Sequence, residues 1–221
     1  MKKMLVIIVV LAMILVSMIV YNNIEINKNK SVNVQEVEQI EEYISKIYMW
    51  KEITKEALPT FENINDASEL WIWEVIKKNL ETYETTYEEI QQKGKELFGE
   101  KFEKQIPKEG NDSFYYDQES NKYLATEIVL DEKEDSFLLN DIEKEGEKYK
   151  VKIIEYIEDY SEENKVIIRN LQEEEIGRVS TSDSETKIKE IVKNNKERFS
   201  QKNIEIKKEK DKLVIEKVNK E

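Results

Sequence analysis

The sequence predicts an α+β fold: an N-terminal transmembrane helix, then two or three long helices packed on a mostly antiparallel sheet, with a late helix and a C-terminal hairpin. Two observations lead to this prediction. Beyond the leader, apolar residues first recur at steps of three and four, which is the period of a helix. After Pro107, short runs of β-branched and aromatic residues alternate with polar turns, which is typical of antiparallel strands. Helices followed by a meander favour a two-layer α+β domain.

The first element is an apolar run from Met4 to Tyr21 that follows two lysines. As a helix this run would be about 27 Å long, close to the hydrocarbon thickness of a bilayer. We therefore predict a retained signal anchor at residues 4–21. A cleaved signal peptide, which would give a secreted product, and a buried core helix are the alternatives. The lysines favour a cytoplasmic stub at residues 1–3, with the rest of the chain outside the cytoplasm.

Composition limits what the exported part can do. The chain carries 48 acidic and 35 basic residues, a formal net charge of −13. Such a surface repels phosphate backbones, so we expect no nucleic-acid partner. Few prolines and glycines, together with regularly spaced apolar residues, indicate a packed domain. Lysine far outnumbers arginine, which is similar to the amino-acid usage of AT-rich bacterial genomes.

A polar tether at residues 22–33 separates the anchor from a domain predicted at residues 34–221. The first helix of that domain begins at Val34 and carries one apolar stripe. It ends before Pro59, because the residue before a proline is disfavoured in the helical region.

The second helical segment has the longest continuous pattern. Its apolar stripe runs from Ile72 to Phe98 and includes Tyr83. Asp66, with a glutamate three residues later, is the predicted N-cap, and Gly99 is the predicted C-terminal stop. The stretch is therefore one long helix, or two collinear helices broken near Thr85 and Thr86.

Short strands follow. In the most apolar one, Val151 and Ile153 face one way, whereas Ile154 and Tyr156 face the other, so we predict a central strand covered on both faces. The predicted strands lie around residues 114–117, 122–130, 137–142, 149–159 and 165–171.

Helical spacing returns from Ser184 to Phe199, and residues 204–206 and 213–218 form a predicted terminal hairpin. This element order is similar to that of cone-shaped NTF2-like domains, in which a curved sheet wraps a long helix. Such a cone is an alternative for the fold.

Histidine and cysteine are both absent, which excludes Ser/His and Cys/His nucleophile systems and the common zinc sites. The five glycines are scattered, so no phosphate-binding or dinucleotide-binding loop can form. Ser184 and Lys187 have the S-x-x-K spacing of penicillin-binding enzymes, but the accompanying K-T-G and S-D-N elements are missing. We expect no cofactor and no metal site.

Paired carboxylates are the remaining catalytic option, with Glu155 as the candidate. It lies in the most apolar strand, where burial would favour a general acid. Asp159 is about 13 Å further along the strand, too far for a glycosidase pair unless another strand contributes. The alternative is that Glu155 is a charge at a strand edge or is paired with a lysine such as Lys152. The acidic run from Asp131 to Asp135 lacks the EF-hand order and is interpreted as a solvated turn.

Trp71 is the candidate binding residue. It lies on the opposite side of its helix from Trp73, which belongs to the apolar stripe. An exposed tryptophan is a frequent interaction hot spot, so Trp71 could mark a partner surface. The alternative is that another element covers it.

Three functional hypotheses follow. The preferred one is a non-catalytic binding or interaction module of the bacterial envelope, held at the membrane by residues 4–21, with a protein or small-molecule ligand. The second is a carboxylate-based hydrolase centred on Glu155 in a sheet-lined pocket. The third is a structural envelope spacer.

Overall fold

A computed structural model describes residues 32–126, 132–182 and 185–221. The described part is a mixed α+β structure with antiparallel sheets. Short 3-10 helices lie at Ile64–Asp66 and Lys196–Arg198. The α-helices are α1 (Val34–Ile47), α2 (Lys51–Thr54), α3 (Glu69–Lys78), α4 (Tyr87–Phe98) and α5 (Glu185–Asn194).

The strands form a small sheet and a large one. The small sheet has the order β1-β3-β2, and the large one has the order β7-β6-β5-β8-β9 with β4 also paired to β5. The strands are β1 (Glu84–Thr85), β2 (Phe114–Asp117), β3 (Lys122–Ala125), β4 (Lys133–Glu145), β5 (Lys148–Asp159), β6 (Lys165–Arg169), β7 (Glu175–Ser180), β8 (Ser200–Glu209) and β9 (Lys212–Lys220).

β5 is the centre of the large sheet, as the sequence predicts. β4 pairs along one side of it, from Asp159 to Lys148. The other side is shared, because β8 pairs with residues 148–155 and β6 with residues 157–159. The pairing with β8 therefore stops at Glu155, where the sheet divides into two branches.

Each face of β5 contributes to a different apolar cluster. Val151 and Ile153 belong to the larger cluster, which also contains the buried faces of α1, α3 and α4. Ile154 and Tyr156 belong to the smaller cluster, which lies under α5. The prediction of a strand covered on both faces is confirmed.

Hydrogen bonds of Asn33 and Glu36 fix the start of the described domain. The side chain of Asn33 accepts a hydrogen bond from the Glu36 N–H at 2.9 Å, and Glu36 accepts one from the Asn33 N–H at 3.1 Å, so a capping box starts α1. Glu36 also accepts hydrogen bonds from Tyr149 at 2.8 Å and from Lys144. We call Glu36, Lys144 and Tyr149 the clasp. The hydrogen bond from Lys144 contributes most to lowering the pKa of Glu36.

The second helical segment is two helices, α3 and α4, and not one. Thr86 begins α4 with a capping box, in which its hydroxyl accepts from the Glu89 N–H and Glu89 accepts from the Thr86 N–H. The spacing T-x-x-E was present in the sequence and marks this boundary. The prediction that Gly99 follows the helix is confirmed, with φ +88°.

Two details predicted for this segment are wrong. Asp66 is not the N-cap of α3, because it ends a 3-10 helix and Ser68 precedes α3. Tyr83 is largely exposed, since it lies between the two helices and outside the stripe.

Later elements also differ from prediction. Residues 133–135 belong to β4 and not to a solvated turn, and β7 was not predicted. The late helix and the C-terminal hairpin are present as α5 and as β8 with β9. No helix in residues 32–126, 132–182 and 185–221 has the length and apolarity needed to cross a bilayer. The predicted anchor at residues 4–21 and Ser184 lie outside the described residues.

Candidate functional site

Glu155 is completely buried on the face of the large sheet that carries the larger apolar cluster. Its Oε1 lies 3.2 Å from the Nζ of Lys202 and accepts a hydrogen bond from the Tyr48 hydroxyl at 3.3 Å. Its Oε2 accepts from the Ser200 hydroxyl at 2.9 Å. Both oxygens are therefore occupied by protein donors. The alternative that Glu155 pairs with a lysine is confirmed, but the partner is Lys202 and not Lys152, which lies 2.8 Å from Glu221.

Lys202 is the matching buried cation, with 5% of its surface exposed. It is on the same face of β8 as Ile204, and its ammonium also donates to the carbonyl oxygen of Leu58. A buried ion pair is tolerated only when both partners have further hydrogen bonds, and this pair has them. Because Glu155 has no solvent contact, the geometry supports a structural role for it, neutralising Lys202.

The structure brings a second carboxylate to this cluster from the neighbouring strand. Asp135 is 9% exposed and lies opposite Ile157, two residues beyond the Phe137 position that pairs with Glu155. Its Oδ2 accepts the Lys51 N–H at 2.7 Å, whereas its buried Oδ1 has no hydrogen-bond partner among the described residues. Burial is the main cause that raises the pKa of Asp135 to about 6.

Asp159, the sequence-based partner considered for Glu155, belongs to another contact. Its Oδ2 accepts from Arg169 at 2.7 Å, and its Oδ1 accepts the Ser161 N–H at 2.9 Å. Burial alone would raise the pKa of Asp159, but these hydrogen bonds outweigh burial and lower the pKa to about 2. Asp159 therefore stays ionised and holds β5 to β6.

The interpretation of Trp71 as an exposed partner surface is wrong. The side chain has no exposed surface, and its ring lies 5.6 Å from the ring of Phe98 and 5.9 Å from that of Phe61. Its indole N–H points at two carbonyl oxygens, those of Ile47 and Ala57, at 3.1 Å each. Both sides of α3 are covered, so its polar side is not a solvent face.

The polar side of α3 holds a buried ion pair of its own. Glu74 Oε1 lies 2.8 Å from Lys77 Nζ, which also donates to the Thr126 hydroxyl at 3.0 Å. The two charges are one helical turn apart and pair through Glu74 Oε1, whereas the buried Oε2 of Glu74 has no hydrogen-bond partner among the described residues. This explains how α3 can carry charged residues on a buried face.

An open groove lies between α4 and the turn that joins β8 to β9, with a volume of about 690 Å³. Five carboxylates and three lysines line it, with Tyr87 and Val214 as apolar contributions. At its floor, Gly99 lets the helix end approach the hairpin, because a Cβ there would lie 3.2 Å from Val214 Cγ1. The five carboxylates belong to Glu88, Glu96, Glu100, Glu209 and Asp211.

Local sequence patterns give little indication of this groove, since its walls come from segments more than a hundred residues apart.

Among the described residues, no group of three or more acidic side chains is arranged to hold a metal ion. Comparisons of the chain with protein-family models, with curated proteins and with solved structures find no match.

Proposed function

We propose that the chain is a bacterial membrane-anchored binding module that displays its acidic domain outside the cytoplasm and takes its ligand in the groove between α4 and the β8–β9 turn. The observation that carries the proposal is the groove itself. Its volume of about 690 Å³ is within the roughly 300–1,000 Å³ of ligand sites, and it is open to solvent. The buried carboxylates Glu155 and Asp159, in contrast, are engaged by protein cations.

The charge of the groove indicates the class of ligand. Of the five carboxylates, Glu96 and Glu209 are paired with Lys93 and Lys207, which lie outside the lining. The exposed Glu88, Glu100 and Asp211 are the carboxylates that a cationic partner would meet, and the net charge of −13 of the chain adds to their attraction. Tyr87 and Val214 offer an apolar contact beside them. A protein segment that carries lysine or arginine next to an aliphatic residue fits this combination. Charge complementarity would contribute mainly to specificity and to the association rate.

The other hypotheses have less support. A hydrolase centred on Glu155 would need substrate access to a carboxylate that has no exposed surface. A spacer would have no use for the groove. An NTF2-like cone is not part of the proposal, because apolar clusters lie on both faces of the large sheet.

The anchor is tested by fractionation of a bacterium that expresses the full chain. We expect the protein to sediment with membranes and to resist alkaline carbonate, since the apolar run is long enough to span the bilayer. Protease added to intact spheroplasts should degrade the domain. A variant that lacks residues 4–21 should be soluble and protected. A full-length product that is soluble and protected from the protease would contradict the anchor. It would not bear on the proposed binding at the groove.

The groove is tested by charge reversal with the double variant Glu100→Lys/Asp211→Lys. Both residues are exposed and line the groove. We expect the affinity for a fluorescein-labelled peptide of alternating lysine and leucine to fall at least about tenfold, because each reversal replaces an attraction by a repulsion. Fluorescence anisotropy of the full chain in detergent measures this.

The matched control is Glu38→Lys/Glu190→Lys, which changes the net charge equally at exposed positions on α1 and α5. This control should lose affinity no more than about twofold, since distant charges are largely screened at physiological salt. Equal losses in both double variants would mean that only net charge matters, and the groove would not be the site.

A further inference from the structure

The tether that precedes α1 carries the side-chain chemistry that the groove favours. Its residues 22–31 lie outside the described part of the chain, so only their sequence enters the argument. Isoleucine stands at positions 24 and 26, and lysine at positions 28 and 30. Side chains two residues apart share one side of an extended segment. The sequence therefore offers a strip of two aliphatic side chains followed by two cations.

The groove supplies the complement of this strip. Its exposed carboxylates belong to Glu88, Glu100 and Asp211, and Tyr87 and Val214 contribute apolar surface. The carboxylates can pair with the two lysines of the tether, and the apolar surface can accept the two isoleucines. The groove and the tether thus match in charge and in apolar content.

The tether joins the domain close to the groove. Val32, the first described residue, is buried in the larger apolar cluster, and Glu36 accepts a hydrogen bond from Tyr149 at 2.8 Å. Tyr149 pairs with Ile206 on β8, and Glu209 in the groove wall is three residues further along that strand. At about 3.4 Å per residue, plus about 5 Å between strands, the wall begins within about 15 Å of the clasp.

The tether is long enough to cover this distance. A fully extended chain advances about 3.3 Å per residue, so Lys30 can lie about 7 Å and Lys28 about 13 Å from Val32, before their side chains are added. Ile24 can lie about 26 Å away. Both lysines and both isoleucines can therefore enter the groove while Val32 stays in the core.

Attachment within one chain makes even a weak contact effective. A segment on a short flexible linker has an effective concentration in the millimolar range at a site that the linker can span. A contact with an intrinsic Kd of about 1 mM would then be formed in a large share of the molecules. An external ligand would bind with an affinity reduced by the fraction of grooves that are occupied.

We propose that residues 24–30 of the tether dock in the groove between α4 and the β8–β9 turn and compete there with an external cationic segment. The competition rests on the proposed function of the groove, whereas the docking depends only on this chain. The groove would thus be partly covered by its own chain until a stronger ligand displaces the tether.

Cross-linking tests the docking, because the chain has no cysteine of its own. The variant Asn29→Cys/Gln92→Cys places one thiol in the tether and one at an exposed position of α4 that lines the groove. We expect a short bismaleimide reagent to join the two thiols within one molecule of the full chain in detergent. Mass spectrometry of a digest identifies the product.

Charge reversal separates docking from mere proximity. Adding Glu100→Lys/Asp211→Lys to the cysteine variant should lower the initial rate of cross-linking at least about threefold, since the groove would then repel the lysines of the tether. Adding Glu38→Lys/Glu190→Lys, the same change of net charge on α1 and α5, should leave the rate nearly unchanged. Equal rates in all three proteins would overturn the proposal.

Peptide binding tests the competition. With an effective concentration of about 2 mM and a Kd of about 1 mM, Lys28→Glu/Lys30→Glu should raise the affinity of the full chain for the labelled lysine–leucine peptide about threefold. The matched control is Lys187→Glu/Lys193→Glu, which changes the net charge equally at exposed positions of α5. This control should change the affinity much less, because distant charges are screened.

The two experiments distinguish the failure of this inference from the failure of the proposed function. An affinity that Lys28→Glu/Lys30→Glu leaves unchanged, with binding still lost in Glu100→Lys/Asp211→Lys, would overturn the competition and keep the groove as the binding site. Cross-linking that depends on the groove charges, with peptide binding that does not, would support the docked tether and contradict the proposed function.

Discussion

Replacing Trp71 with alanine is expected to lower the free energy of unfolding by about 3–5 kcal/mol, the range for removing a large aromatic side chain from a core. The side chain is fully buried between the rings of Phe61 and Phe98. Its loss also removes the donor for the carbonyl oxygens of Ile47 and Ala57. Denaturant unfolding of the full chain in detergent, followed by circular dichroism, measures the change.

Tyr115→Ala is the control for this prediction, because Tyr115 is 63% exposed. It should change the stability by no more than about 0.5 kcal/mol. Trp71→Phe keeps a ring but loses the N–H, so its cost should lie between the two. If Trp71→Ala left stability unchanged and abolished partner binding, Trp71 would be a surface residue after all.

Lys202→Met is expected to destabilise the protein by about 3–5 kcal/mol, since it leaves Glu155 as an uncompensated buried charge. The Leu58 carbonyl oxygen loses its donor in the same step. Methionine keeps much of the length and apolar volume of the lysine side chain, so the loss of the charge dominates the effect. The measurement is again equilibrium unfolding in denaturant.

The double variant Lys202→Met/Glu155→Leu separates the charge from the packing. Replacing both members of a buried pair by apolar residues is often close to neutral, so the double variant should recover most of the stability lost in Lys202→Met. A cost below about 1 kcal/mol for the single variant, or strictly additive costs, would show that the two side chains are not coupled.

Local periodicity correctly predicts those features of the fold that depend on a single helix or strand. The alternation in β5 identified two buried faces because neighbouring side chains of a strand always point in opposite directions. The stripe of α1 and the glycine after α4 have equally local causes. The break before α4 was also written locally, as the capping box of Thr86 and Glu89.

Contacts between elements that are distant in the sequence cannot be predicted from local periodicity. A helical wheel places Trp71 relative to one stripe, but it cannot reveal that α3 is covered on its other side as well. The acidic run predicts a solvated turn at Asp135, whereas β4 places Asp135 on a buried face of the sheet, opposite Ile157. Glu155 was recognised as a buried carboxylate, but Lys202 is 47 residues away in the chain and no local pattern connects the two.

If residues 4–21 anchor the chain in a membrane as proposed, the clasp would limit the distance between the domain and the bilayer. With residues 4–21 anchored as proposed, the ten residues 22–31 can extend no more than about 35 Å before the chain is fixed beside the β4–β5 turn. The β8–β9 turn is at that same end of the sheet, since Lys208 donates its N–H to the Glu147 carbonyl oxygen. If the chain is anchored as proposed, the mouth of the groove would belong to the membrane-proximal end of the domain. A partner would have to approach close to the lipid surface, so membrane-associated proteins are the population in which to look for it.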